Sequence, residues 1–230
     1  MNSQFLYAAA LRSALRRTTA WLDLGCGHQF LPEWMPDTCQ QLNIDGCRVV
    51  GIDLDASALS AHPDLQMRII GSVEHLPLSG ATFDLITANM VVEHVEHPEA
   101  LFQEVGRVLK PGGLFLVHTP NVLGYTTRLT RLVPEDLRPR VAHLLQGRLA
   151  HDVYPTFYRA NTVLALAHTA RRSNLMPVDL RTVESSPQLY RVPVLRSLES
   201  GLLRVLQADA LARWRPCIIG QFERAAGPAR

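Results

Sequence analysis

The chain has 230 residues, 47% apolar and 19% charged, with 23 basic and 21 acidic side chains. That balance supplies one sizeable buried core and excludes intrinsic disorder, collagen-like repeats and a disulfide-stapled miniprotein; no run approaches the roughly 18 uncharged apolar residues of a membrane-spanning helix. Charge is unevenly spread: residues 1–124 carry 7 basic and 13 acidic groups, residues 125–230 carry 16 and 8.

Residues 3–17 read as an N-terminal helix with Phe5, Leu6, Ala9 and Leu15 as packing positions. The run Ala20–Leu24 is short, apolar and closed by Gly25-Cys26-Gly27, which suits a buried strand. Residues 29–42 read as a helix interrupted by Pro32 and Pro36, Cys47–Leu54 as a second strand and 55–61 as a short helix. Met67–Val73 and Phe83–Ala88 are the third and fourth strands. Residues 98–109 give the clearest helix. Pro98 and Glu99 lie in its first turn, and Ala100, Leu101, Val105, Val108 and Leu109 form one apolar face. Pro111-Gly112-Gly113 stops it before a fifth strand, Leu114–His118.

Residues 121–159 break the rhythm and read as an irregular helical insertion, a lid over the crevice. Alternation resumes with a helix at Ala160–Asn174 capped by Asn161, a strand at Val178–Glu184, a helix over 194–213 and a last strand at Cys217–Glu223. Strands alternating with helices define an α/β fold with a doubly wound, mostly parallel seven-stranded sheet. One domain spans 1–230. The apolar spacing of Leu195, Leu198, Leu202, Val205 and Leu206 beside Arg196, Arg204 and Arg213 fits a helix covering the sheet, with peripheral membrane contact as the alternative. None of Cys26, Cys39, Cys47 and Cys217 forms a C-x-x-C pair, so free thiols in a reducing cytoplasm are expected and a structural zinc site is not.

Ligands of open α/β sheets bind beyond the carboxyl ends of the strands. Gly25 and Gly27 follow strand one, and Asp53 ends strand two, 26 residues after Gly27. Glycines there let backbone N–H groups approach a ligand, and an acid at the tip of strand two accepts both hydroxyls of a ribose. The last glycine of a dinucleotide fingerprint is replaced by Phe30, and no phosphate-cradling P-loop is present. The expected ligand is a nucleoside without a pyrophosphate.

These residues resemble motif I of the class I S-adenosylmethionine-dependent methyltransferases in Leu22-Asp23-Leu24-Gly25-Cys26-Gly27, and their acidic loop in Gly51-Ile52-Asp53. The segments Glu74–Leu78, Phe83–Ile86, Glu93-His94-Val95, Arg107–Gly113 and Thr119-Pro120-Asn121 follow in that family's order. The resemblance covers residues 20–121 and is nearest to the "type 11" and ubiquinone-biosynthesis O-methyltransferase-like group. It implies a Rossmann-like fold and S-adenosylmethionine as cofactor. Gly25 and Gly27 would pass under the methionine part, with Asp23 near its amino group. Asp53 would hold the ribose, Leu54 would pack on the adenine, and Ser72 and Val73 would read its edge. Asn89 and Met90 would face the sulfonium.

Three positions depart from the family pattern. Gln29 replaces the third motif-I glycine, Ser72 replaces the adenine-reading aspartate, and Met90 replaces the first member of a Glu-Glu-His metal set, so no metal is expected. His94 is the candidate base, because histidine titrates near neutral pH, with Glu93 orienting it. Tyr154, Tyr158 and Arg159 are candidate acceptor-binding residues; arginine binds carboxylate or phosphate bidentately. The expected acceptor is a small anionic, glycosyl or lipid-linked molecule methylated at oxygen, with N- or C-methylation and a non-catalytic cofactor-binding role as alternatives. No nucleic-acid partner is expected, since Asn89-Met90-Val91-Val92 lacks the Asn/Asp-Pro-Pro-aromatic motif of amino-methylating enzymes.

Overall fold

The computed structural model describes residues 2–226 apart from 33, 36–41, 43, 134–154 and 186–192. Seven strands form one sheet: β1 (Ala20–Leu24), β2 (Arg48–Asp53), β3 (Met67–Ile70), β4 (Phe83–Asn89), β5 (Leu109–Pro120), β6 (Leu175–Val183) and β7 (Cys217–Arg224). Their order is β3-β2-β1-β4-β5-β7-β6. Neighbours from β3 to β5 pair parallel, while β7 runs antiparallel to both β5 and β6. The chain moves outward from β1 through β2 to β3, then returns to the other side of β1 as β4. Connections therefore diverge above β1 and β4, and the carboxyl ends of these strands are where open α/β sheets take their ligands.

All five residues of β1 are buried, as expected of a strand covered on both faces. On one face Leu22, Leu24, Ile86, Phe115 and Phe222 pack against α3 (Pro98–Val108) and α5 (Val163–Arg172), including Leu101, Phe102, Val105, Leu166 and Ala170. Phe102 meets Phe115 edge-on, with centroids 5.4 Å apart. The other face carries Trp21, Val49, Leu85, Leu116 and Ile219 against α1 (Ser3–Leu15) and Leu59 of α2 (Ala56–Ala61). Asn2 caps α1 by accepting from the Gln4 N–H at 3.0 Å, and Asp55 caps α2 by accepting from Ser57 and Ala58.

Several expected boundaries move. α1 buries Tyr7, Leu11 and Leu15, a clean i, i+4, i+8 row, while Phe5 and Ala9 point outward. Residues 29–32 and 34–35 form bends and turns, so the described part of 29–42 is not helical. Asp53 is the last residue of β2, and β3 stops at Ile70, leaving Leu54, Ser72 and Val73 in loops. Pro111-Gly112-Gly113 does not separate α3 from β5. β5 starts at Leu109, and a register shift between Phe83 and Leu85 absorbs the turn, with Gly112 at φ +76°. Thr162, not Asn161, caps α5, because its hydroxyl accepts from the Ala165 N–H at 3.0 Å.

Within 121–159 the described part contains α4 (Tyr125–Leu132) and an extended stretch from Pro155; residues 134–154, Tyr154 among them, lie outside the described residues. The 194–213 segment is α6 (Pro193–Val205) followed by a 3-10 helix, Asp209–Trp214. α6 buries Glu199 and Leu203 and exposes Leu198, Leu202 and Val205, with Leu206 buried just beyond its end. Glu199 accepts a 2.7 Å hydrogen bond from the Tyr125 hydroxyl, which turns the helix away from the expected face. Among the described residues no helix is long and apolar enough to cross a membrane.

Candidate active site

The loop after β1 is tied to the tip of β2. Gly25 N–H donates to the Ile52 carbonyl at 2.8 Å, and Gly27 N–H donates to Asp53 Oδ2 at 2.8 Å. Asp53 Oδ1 accepts from the Asp55 N–H at 2.9 Å, so both carboxylate oxygens are anchored at the end of β2. Gly25 and Gly27 stand at φ +58° and +55°, where L side chains are strained. A Cβ on Gly25 would lie 2.6 Å from Val91 Cγ2, whereas one on Gly27 would meet nothing within 4 Å. Gly27 thus leaves an open cradle beside Asp53. Next to it Leu54 is 76% exposed, an apolar side chain outside the core.

Asp23 lies deeper, 4% exposed, on the α1 side of the sheet. Its register partner on β4 is Thr87, whose hydroxyl donates to Asp23 Oδ1. Trp21 Nε1–H donates to the same Thr87 oxygen at 2.7 Å. Burial pushes the Asp23 carboxyl up to about 7, against the Thr87 hydrogen bond and with the Asp53 charge adding to the rise. The buried Cys26 thiol is also pushed up, chiefly by burial and then by Asp23 and Asp53.

At the end of β4, Asn89 Oδ1 lies 2.8 Å from His118 Nδ1, and the Asn89 amide exchanges two 3.3 Å hydrogen bonds with Gln4 of α1. Burial holds His118 down at about 3, neutral throughout the physiological range. Met90 follows at φ +59°, its N–H bonded to the His118 carbonyl at 2.7 Å. Ser72 and Val73 are half-buried beyond β3, and Ser72 Oγ accepts from the Glu74 N–H at 3.2 Å.

Glu93 and His94 occupy a 3-10 turn, Val92–His94, above β4. Glu93 is 3% exposed and accepts from the Thr119 hydroxyl at 2.9 Å; Asn161 Nδ2 donates to that hydroxyl at 2.6 Å. The Glu93 carbonyl accepts from the Phe157 and Tyr158 N–H groups at 2.8 and 3.2 Å. His94 Nδ1 meets the Pro155 carbonyl at 2.6 Å, and its Nε2 lies 3.9 Å from Glu93 Oε1. Arg159 reaches Glu96 at 3.4 Å and covers the Phe157 ring at 5.7 Å; Tyr158 sits at φ +53° under Arg131. Residues 155–159 are therefore stitched onto the turn after β4, and Tyr158 and Arg159 share one wall with His94.

Sequence reading missed Gln4, Tyr7, Thr87, Thr119 and Asn161 as parts of this site. The 7-11-15 spacing points Tyr7 inward, but Thr87 and Thr119 matter only through cross-strand register, which a single sequence does not carry.

Residues 22–117 match the methyltransferase domain family. A probable S-adenosylmethionine-dependent methyltransferase of Mycolicibacterium smegmatis is 31% identical over 109 residues, covering 46% of this chain and 39% of the relative. The mitochondrial ubiquinone biosynthesis O-methyltransferase of Mus musculus is 38% identical over 166 residues, covering 64% of this chain and 43% of the relative. Matches to the two therefore span less than half of each relative's length. A putative S-adenosylmethionine-dependent methyltransferase from Listeria monocytogenes superposes with a TM-score of 0.61 at 12% identity, over 97% of this chain and 98% of that one, and so shares the fold.

Residues 22–117 are thus similar to that methyltransferase domain family, and the fold is that of the solved methyltransferase structure. The residues present fit that family's cofactor. Gly27 leaves the space a Cβ would fill, Asp53 ends β2 with its carboxylate fixed by the Gly27 N–H, Leu54 offers an exposed apolar face and Asp23 a buried acid.

Proposed function

We propose that the protein transfers a methyl group from S-adenosylmethionine to an oxygen of a small anionic, glycosyl or lipid-linked acceptor. When bound, that cofactor would supply a sulfonium methyl as the electrophile, with a neutral thioether as the leaving group. Asp53 accepts the ribose hydroxyls, with Gly27 N–H and Asp55 N–H fixing its two oxygens beforehand. Asp23 holds the amino group, Leu54 packs on the adenine, and Ser72 and Val73 border its edge. Asn89 and Met90, at and just past the end of β4, would border the methyl group. Holding donor and acceptor in line contributes up to roughly 7–11 kcal/mol in favourable systems.

His94 serves as the base. A carbonyl only accepts, so the 2.6 Å contact with Pro155 puts the proton on Nδ1 and makes Nε2 the basic nitrogen that takes the acceptor's proton. The proton taken at Nε2 gives an imidazolium 3.9 Å from the buried Glu93 carboxylate, which offsets its charge. Tyr158 and Arg159 hold the acceptor from the same wall. The Arg159–Glu96 pair is 3.4 Å long and about half exposed on both sides, a weak pairing that an anionic acceptor can displace.

The observation that carries this reading is the Gly27–Asp53 contact beside an open glycine cradle. Calorimetric titration with S-adenosylmethionine, followed by incubation of labelled cofactor with phenolic, carboxylated and glycosylated acceptors, tests it. Binding with transfer of label to one acceptor class is the expected result. Binding without transfer to any acceptor supports a non-catalytic role, and absence of binding removes the reading.

A further inference from the structure

Two helices turn apolar rows outward. In α4 the residue that packs inward is Thr127, 6% exposed, while Leu129 and Leu132 stand 54% and 80% exposed. That reverses the usual order of burial. α6 buries Glu199 and Leu203, yet Val194, Leu198, Leu202 and Val205 repeat at i, i+4, i+8 and i+11 and are 40–69% exposed. A surface helix buries one apolar stripe against its own protein; α6 keeps this second one in water. The elements that carry these rows are joined. The Tyr125 hydroxyl donates to Glu199 at 2.7 Å and ties α4 to α6. Arg128 lies over the Trp214 ring at 4.5 Å and ties α4 to the 3-10 helix, where Arg213 covers the same ring at 5.0 Å.

The charge on these helices is one-sided. Arg128, Arg131, Arg196, Arg204 and Arg213 are exposed. Glu199 is buried, and Asp209, paired with Arg215 at 3.3 Å, is the one exposed acid among the described residues of the three helices. Apolar rows flanked by arginines fit a partner that is apolar inside and anionic outside. Acyl chains take the leucines and valines, and lipid phosphates take guanidinium groups carried on long flexible stems. A second copy of the chain fits badly, because a two-fold contact brings two cationic surfaces together. We propose that α4, α6 and the 3-10 helix dock the protein on an anionic phospholipid bilayer, with the apolar rows at the acyl boundary and the arginines on the headgroup phosphates. Arg131 of α4 also covers the Tyr158 ring at 5.4 Å, so the docked face borders the wall assigned to the acceptor. That neighbour favours the lipid-linked acceptor class, a step that rests on the proposed acceptor wall; the docking itself does not.

The test is co-sedimentation of the full chain, without cofactor, with vesicles of phosphatidylcholine alone and of phosphatidylcholine mixed with phosphatidylglycerol, at low and high salt. The wild type is expected to bind the mixed vesicles, to bind them less at high salt, and to leave the neutral ones in large part unbound. Substituting Leu198→Ser and Leu202→Ser together is expected to lower the partition coefficient about tenfold or more, and Arg196→Ser with Arg204→Ser about fivefold per charge removed. These side chains are exposed, so both proteins are expected to keep the wild-type Tm. Ile70→Ser, which removes an equally exposed side chain from β3 at the opposite edge of the sheet, is expected to bind as the wild type does. A wild type that ignores mixed vesicles overturns the proposal, as does binding that survives both pairs of substitutions or falls equally in Ile70→Ser. Equal binding to neutral vesicles overturns the anionic requirement. Light scattering that shows a dimer, lost in the Leu198→Ser, Leu202→Ser protein, assigns the face to a second copy and overturns the docking. Because no cofactor is present, failure of the vesicle assay leaves the methyl-transfer reading standing, and failure of cofactor binding leaves the docking standing.

Discussion

His94 Nδ1 lies 2.6 Å from the carbonyl oxygen of Pro155, and this one contact selects the ring nitrogen left for chemistry. The ring is held from the side away from Glu93, so substitution removes a base without disturbing the cofactor loop. His94→Ala is expected to slow methyl transfer about 10²-fold or more. The dissociation constant of S-adenosylmethionine stays within about twofold. Steady-state kinetics beside calorimetry checks both halves; full turnover in the variant dismisses His94 as the base.

Asp53 is the acceptor that fixes both Gly27 and Asp55. Asp53→Ala removes a charged acceptor worth roughly 1.5–3 kcal/mol per bond to a ribose hydroxyl, and also frees the loop. Cofactor affinity is expected to fall about tenfold or more. An unchanged dissociation constant locates the nucleoside elsewhere.

Asp23 makes stability depend on pH in a definite direction. Its folded-state value of about 7 is raised from 3.8 by burial, so its contribution is fully present below pH 3.8 and is lost as pH rises through about 7. A rise of that size corresponds to roughly 4 kcal/mol. Asp23→Asn removes the titration. Urea unfolding at pH 4.5 and pH 8 is therefore expected to show the variant gaining on the wild type at pH 8. Equal differences at both pH values contradict the assignment.

Gly25 combines a left-handed φ of +58° with a Cβ position 2.6 Å from Val91 Cγ2. Gly25→Ala is expected to cost about 1–3 kcal/mol in chemical unfolding. Val91→Ala relieves the clash but not the φ strain, so the double variant recovers part of the loss. Strict additivity of the two substitutions shows that the close approach is not the cause.

Much of this was legible in the sequence because it is local. β1 is a bounded apolar run, and the glycines and Asp53 sit at strand tips wherever the sheet places them. What was hidden depends on register and on partners distant in sequence. Thr87 faces Asp23 because β1 and β4 pair in one register, and Asn161 turns from helix cap to partner of Thr119 because Thr162 takes the cap. The face of α6 was misplaced for the same reason: the Tyr125–Glu199 hydrogen bond buries a charged residue that periodicity alone assigns to solvent.

β7 lies between β5 and β6 although it is the last strand made. Until residues 217–224 have left the ribosome, β5 keeps an open edge and β6 has no neighbour in the sheet. The loops after β1, β2 and β4 can be set while translation continues, whereas the far flank waits for β7. Premature termination anywhere before Cys217 thus yields a sticky half-sheet rather than a smaller working protein.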